Sequence, residues 1–326
     1  TLKVLHLADT HFDPDYFVGA DTSHCEEIYL CCREENGIAV NASDGAGYWG
    51  DYRTCDSPKW TLEAMYDHIA NTHPDLDFII WTGDLVPHDV WETTQEKNLA
   101  AINEMADLIL EYFPGVPVFP AVGNHEASPM NLFPQPYITD PEFDISWLYD
   151  ELVSIWSRWL PTEDATSVAR GAYYSTQIRP GLRLLSVNTN YCYQLNFWLF
   201  LDSTDIANEL ELMAQELQEA EDAGDRVYIV GHIPSGNFDC TLTWSHEYNR
   251  IVSRYENTIT GIFYGHTHKD HYQLFFDPDD TSRVYEVAYI AQSQTTYTNL
   301  NPGYKIYTIE GDFNGSRYVR NSFHRN

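Results

Sequence analysis

The sequence predicts a layered α/β fold, and three features predict it. Short apolar runs alternate with amphipathic stretches of helical period along the chain. Five of the runs end in a small polar cluster: Asp9/His11, Asp84, Asn124/His125, His232 and His266/His268. Four of these clusters follow a glycine (Gly83, Gly123, Gly231, Gly265), which lets the backbone turn sharply and approach closely. Ligands of α/β sheets bind outside the carboxyl ends of the strands, so five such ends predict one shared crevice. At 326 residues the chain can bury a large core, and no internal repeat or low-complexity linker divides it. It reads as one domain, 1–326.

In order, residues 3–8 (KVLHLA) form the first strand, with His6 read as a core histidine rather than a ligand. Residues 13–57 form a long insertion carrying four cysteines. A structureless loop of that length is unusual unless functional or stapled. A helix is predicted over 57–73, with Ser57 as N-cap and Pro58 at its first position. A strand over 77–82 leads to Gly83-Asp84. A helix over 89–113 shows an apolar face at Leu99, Ile102, Met105, Ala106, Ile109 and Leu110. The strand 116–122 leads to Gly123-Asn124-His125-Glu126. A helix over 146–160 carries Trp147, Trp156 and Trp159 for packing. Strands follow at 173–178 and 182–188. Residues 196–201 (NFWLFL) are apolar without a periodic element, and read either as helix packing or as an exposed lipid-contacting loop. An acidic helix spans 203–223 and closes at Gly224. A strand at 226–230, a helix at 244–255 and a strand at 259–264 lead to Gly265-His266-Thr267-His268. In an extended loop, His266 and His268 point the same way. Strands at 284–291 and 304–309 complete the reading.

Composition excludes whole classes of partner. With 49 acidic and 18 basic residues the formal charge is −31. Such a surface repels nucleic acid and, at neutral pH, anionic membranes. It suits either work in acid, where carboxylates gain protons, or solubility alone. Cys25, Cys31, Cys32, Cys55, Cys192 and Cys240 make an even number. A coreless segment gains most from disulfides, whereas adjacent cysteines chelate zinc poorly and no C-x2-C pair is present. The sequons at Asn41 and Asn314 agree with a secreted or luminal compartment. No stretch reads as a signal peptide or a membrane span.

The clusters supply seven donors: Asp9, His11, Asp84, Asn124, His232, His266 and His268. That is too many for one tetrahedral zinc and suits two ions with one donor shared. A carboxylate can bridge, and Asp84 is central. Imidazole with carboxylate suits two zinc ions, with manganese or iron as alternatives. The expected division puts His268 with Asp9, His11 and Asp84, and His266 with Asp84, Asn124 and His232. Two metals about 3.5–4 Å apart hydrolyse phosphoesters through a bridging hydroxide. His125 is the first choice of general acid for the leaving alkoxide, and His88 the second.

Taken together, Asp9-x-His11, Gly83-Asp84, Gly123-Asn124-His125-Glu126, Gly231-His232 and Gly265-His266-x-His268 resemble the calcineurin-like metallophosphoesterase signature. That resemblance implies a layered α/β/β/α sandwich with the dimetal site at strand C-terminal ends. Within the superfamily the chain most resembles the acid sphingomyelinase family. The carrying stretches are Ala46 to Gly50, Trp81 to Asp84 with His88 to Trp91, Asn196 to Leu199, Gly231 to Pro234, Arg254 to Thr258 and Leu300 to Tyr304.

The resemblance implies zinc, a secreted or lysosomal location, and hydrolysis of sphingomyelin to ceramide and phosphocholine. It also implies proton donation by His125 with His88 nearby, a substrate contact at Tyr297, and the pairs Cys25–Cys31, Cys32–Cys55 and Cys192–Cys240. The iron-binding tyrosine of purple acid phosphatases is replaced here by Pro87. No part of the sequence corresponds to the family's N-terminal saposin-like domain, so a separate lipid-presenting saposin-type protein is one expected partner. Transient contact with a membrane or lipoprotein surface is another, through aromatic residues near 48–49 and 197–200. Two other readings stand beside this one: a related phosphodiesterase of nucleotides or other phospho-head-groups, and a non-catalytic secreted lipid-binding protein.

Overall fold

A computed structural model describes residues 1–27, 29–277, 279–310 and 316–325. The described residues form eleven strands and six α-helices. They run β1 (Leu2–Leu7), α1 (Lys59–Thr72), β2 (Phe78–Trp81), α2 (Gln95–Tyr112), β3 (Val118–Pro120), α3 (Ser146–Trp156), α4 (Ala165–Gly171), β4 (Tyr174–Arg179) and β5 (Leu182–Ser186). Then come α5 (Glu209–Ala223), β6 (Arg226–Val230), α6 (Leu242–Arg254), β7 (Ile259–Tyr264), β8 (His271–Phe276), β9 (Val284–Ile290), β10 (Tyr304–Ile309) and β11 (Val319–Arg325).

Two mixed sheets form, ordered β11-β10-β1-β2-β3 and β4-β5-β6-β7-β9-β8. Side chains alternate between the faces of a strand. In β6, Tyr228 and Val230 therefore join one apolar cluster while Val227 and Ile229 join another. The first cluster lies between the sheets, where Phe263 of β7 meets Tyr307 of β10 at 5.1 Å and Tyr289 of β9 meets the same ring at 5.5 Å. It continues through α1, α2 and α3. The second packs α5 and α6 against the other face of the larger sheet. His6, inside β1, bonds Tyr307 and Thr82 and serves the core as expected.

Several boundaries differ from the sequence reading. Ser57 does not cap α1: its hydroxyl donates to the Gln294 carbonyl, and Pro58 occupies the N-cap. Helix α2 starts at Gln95 rather than 89, where the Thr94 hydroxyl accepts the Lys97 amide. Helix α5 starts at Glu209 rather than 203, because Asp205, Ala207 and Asn208 take positive φ and break the first turn. Strands β8 and β11 and the short α4 lie where no element was predicted.

The insertion folds around its own small cluster of Tyr16, Ala20, Ala46 and its four cysteines. The structure pairs Cys25 with Cys31, Cys32 with Cys55 and Cys192 with Cys240. Arg33 closes the insertion onto the body. Its buried guanidinium donates to Asp13 at 2.9 Å and to Asp89 at 3.1 Å. Asn41 is exposed, and Asn314 lies outside the described residues. No described helix is long and apolar enough to cross a membrane.

Candidate metal centre and active site

The carboxyl ends of β1, β2, β3, β6 and β7 converge, and the strand-end residues meet there. Asp9, His11, Asp84, His266 and His268 all have positive φ, between 40° and 69°. This left-handed backbone is uncommon for non-glycine residues and tolerated best by Asp, Asn and His. It replaces the extended geometry expected of 265–268. The two rings diverge: His266 faces Asn124 and His268 faces His11. Glycine is required where these turns touch. A Cβ on Gly123 would stand 2.1 Å from Asp84 Oδ1, and one on Gly265 would stand 2.7 Å from Asp9 Oδ2.

Around His268, its Nε2 lies 3.2 Å from His11 Nε2 and 3.6 Å from Asp9 Oδ1, and His11 Nε2 lies 3.6 Å from Asp84 Oδ2. Around His232, its Nε2 lies 3.0 Å from both Asn124 Oδ1 and Asp84 Oδ2, and His266 Nδ1 lies 3.1 Å from Asn124 Oδ1. Asp84 Oδ2 is common to both groups. Sets of three such donors, including Asp84, His232 and His266, lie close enough to hold a metal ion. The tautomers fit that use. His11 Nδ1 donates to the Val86 carbonyl at 2.8 Å and His232 Nδ1 to the Thr82 carbonyl at 2.7 Å, which turns each Nε2 toward the cluster.

Burial and charge compete in this cluster. Burial holds His11 and His268 well below the usual histidine range and pushes Asp9 up to about 8. Burial pulls His232 down as well, but Asp84 carries it up to about 9. The same charges, His232 foremost, hold Asp84 well below the carboxylate range despite its burial. A ring proton thus balances the carboxylates, as a cation would.

His125 and His88 stand beside this group. Their ring centroids are 4.7 Å apart, and each lies within 4.7 Å of the His11 ring. The His125 amide donates to Asp84 Oδ1 at 2.9 Å. Burial lowers the His125 imidazole to about 4. His88 Nδ1 bonds Asp56 at 2.9 Å, and Tyr297 stacks on its ring at 3.8 Å with planes 4° apart. The Tyr297 hydroxyl donates to the Tyr29 carbonyl. A cleft of about 380 Å³ opens over these residues, lined also by Tyr29, Met130, Tyr193, Leu195 and Lys269.

Sequence reasoning missed the residues that hold this group in place. Asp56 holds His88 through both its ring and its amide. Glu126 accepts the amides of Asp84 and Leu85, and burial raises it to about 7. Asp239 bonds His266 Nε2 at 3.1 Å, and Asn131 accepts the Asn124 side-chain amide at 2.9 Å. Glu126 was visible as part of the cluster after β3. No spacing joins Asp56 to His88 or Asp239 to His266.

A sphingomyelin phosphodiesterase of Bos taurus is 45% identical over 317 residues, covering 97% of this chain and 50% of that protein. One of Homo sapiens is 44% identical over 317 residues, covering 97% and 49%. The chain thus spans about half the length of these curated relatives. The solved structure of a dimetal phosphatase from Danio rerio matches with a TM-score of 0.55 at 10% identity, over 94% of this chain and 92% of that one, a likeness of fold alone. The model of the calcineurin-like phosphoesterase family matches residues 2–270, and the chain belongs to that family.

Proposed function

We propose that the chain is a dimetal phosphodiesterase that hydrolyses sphingomyelin to ceramide and phosphocholine. The observation that carries the metal centre is the meeting of His11 Nε2 and His232 Nε2 at the shared Asp84 Oδ2, with Nδ1 of each ring already bonded to a backbone carbonyl. The carboxylates here draw a proton onto His232, and a metal cation can take the place of that proton. Asp9, His11, Asp84 and His268 would hold one ion, and Asp84, Asn124, His232 and His266 the other. Imidazole with carboxylate favours zinc, with manganese or iron as substitutes. Two such ions, when bound, neutralise phosphate charge and activate water as the nucleophile.

His125 gives the leaving ceramide oxygen its proton. It lines the cleft and is tethered through its amide to Asp84. His88, oriented by Asp56 and Tyr297, lies beside it and assists. Tyr29, Tyr193 and Tyr297 present aromatic surface to the cleft, and such faces attract a quaternary ammonium. The relatives named sphingomyelin phosphodiesterases and the three disulfides support this reading and a secreted or lysosomal setting. It implies transient contact with a membrane or lipoprotein surface.

A second reading has one observation in its favour. Lys269 lines the cleft, where its ammonium suits a substrate with a further anionic group, such as a nucleotide. Side-by-side turnover of sphingomyelin micelles and nucleoside di- and triphosphates by zinc-loaded protein separates the two. Phosphocholine release is expected, and turnover of nucleotides alone contradicts the assignment.

A further inference from the structure

Both ring nitrogens of His266 face a side-chain oxygen at 3.1 Å. Nδ1 faces Asn124 Oδ1, and Nε2 faces Asp239 Oδ2. The Asn124 side chain is turned by Asn131, to which its Nδ2 donates, so Oδ1 is the atom that looks toward the ring. As a metal ligand the imidazole is neutral and carries a single N–H, which can satisfy only one of these two acceptors. The charged carboxylate is the stronger acceptor. Asp239 therefore holds the proton on Nε2 and leaves Nδ1 open toward Asn124 Oδ1, between two members of one ligand set. Without Asp239 the proton can move to Nδ1 and bond Asn124, which closes that place to a cation.

A covalent clasp fixes Asp239 in turn. Its carbonyl accepts the Gln194 amide at 2.8 Å, and the Thr241 amide donates to the Cys192 carbonyl at 2.7 Å. Between these bonds Tyr193 pairs antiparallel with Cys240, and the Cys192–Cys240 disulfide ties the two segments together. The Tyr193 ring meets His266 edge to face at 5.5 Å. Three residues before Cys192, the Thr189 hydroxyl accepts the His232 and Ile233 amides. These contacts reach His232 and His266, two ligands of one ion. None of them falls on Asp9, His11 or His268, which belong to the other. We propose that Asp239, held by the Cys192–Cys240 clasp, is the positioning residue that sets the affinity for the ion of Asp84, Asn124, His232 and His266. The inference rests on the two-ion reading and goes beyond it, since it makes the two sites unequal and ties one of them to a disulfide.

The test measures zinc affinity by chelator competition for wild-type protein, Asp239→Ala and the Cys192→Ser, Cys240→Ser variant. Asp239→Ala is expected to weaken one ion by about 10–100-fold, the usual effect of removing the outer hydrogen-bond partner of a metal-bound histidine. The other ion is expected to keep its wild-type affinity. The cysteine variant is expected to weaken the same ion, and Asp239→Ala, which keeps the disulfide, decides the proposal where that variant does not fold. Nitrogen chemical shifts of His266 in metal-free protein give a readout that a merely structural role would not move. The Nε2–H tautomer of the wild type is expected to give way to Nδ1–H in Asp239→Ala. Unchanged affinity in Asp239→Ala overturns the proposal, as does equal weakening of both ions or an unchanged His266 tautomer. Wild-type affinity in a folded cysteine variant overturns the role of the clasp. Wild-type protein that binds fewer than two zinc ions refutes the two-ion reading itself, whereas two ions bound equally well by wild type and Asp239→Ala refute this proposal alone.

Discussion

Left-handed backbone at Asp9, His11, Asp84, His266 and His268 decides where the donors of the cleft point. Such conformations cost of order 1–3 kcal/mol each and persist only where the surroundings enforce them. Glu126 supplies part of that enforcement by accepting the Asp84 and Leu85 amides. Asp84→Asn is expected to lower the affinity for both ions, read as metal content after dialysis. Loss of one ion alone would contradict a shared ligand. His125→Ala is expected to lower kcat by about 10²–10⁴, the usual contribution of a positioned acid, with metal content unchanged. Burial holds His125 near 4, so its proton is present in acid and lost as pH rises. The donors were legible because each stands at the end of an apolar run. Asp56 and Asp239 were not, because their bonds to His88 and His266 cross 32 and 27 residues with no local pattern.

Strands buried on both faces carry the strongest sequence signal at the scale of elements, and β6, β7 and β10 lie where the apolar runs predicted them. Strand β8 was missed for the converse reason. It is an edge strand whose residues are mostly exposed, so neither a continuous apolar run nor clean alternation marks it. The insertion was read as stapled, but its clamp was invisible: Arg33 reaches Asp13 and Asp89 across 20 and 56 residues. Removing one partner of a buried ion pair leaves the other charge without compensation. Arg33→Met is therefore expected to destabilise the protein by about 3–5 kcal/mol in urea unfolding. A change below 1 kcal/mol, the scale of an exposed pair, would show that the clamp contributes little.

Across the whole molecule, the acidic composition meets burial of particular carboxyls. Away from the metal centre, burial raises Asp164 to about 6, Glu286 to about 7 and Glu209 well above the usual range. A carboxyl whose folded pKa exceeds its unfolded value keeps its proton longer in the native state. The native state then binds more protons than the unfolded chain, and stability falls as pH rises through that window. For Glu286 the window runs from its ordinary 4.5 to about 7. Thermal unfolding is expected at a higher temperature near pH 5 than at pH 7, with a shallower dependence in Glu286→Gln. The opposite trend would mean that the buried histidines held below their ordinary range, together with ion pairs, outweigh the buried carboxyls. Self-repulsion of the −31 surface acts in the same direction, since protonation relieves it.

The central claim, two ions sharing Asp84 above a phosphodiester cleft, is tested most directly by zinc titration of metal-free protein. Phosphocholine release from sphingomyelin is followed at each addition. No turnover is expected without metal, and activity is expected to rise and saturate at two zinc ions per chain. Full activity in the metal-free protein, or saturation at one ion, would contradict it.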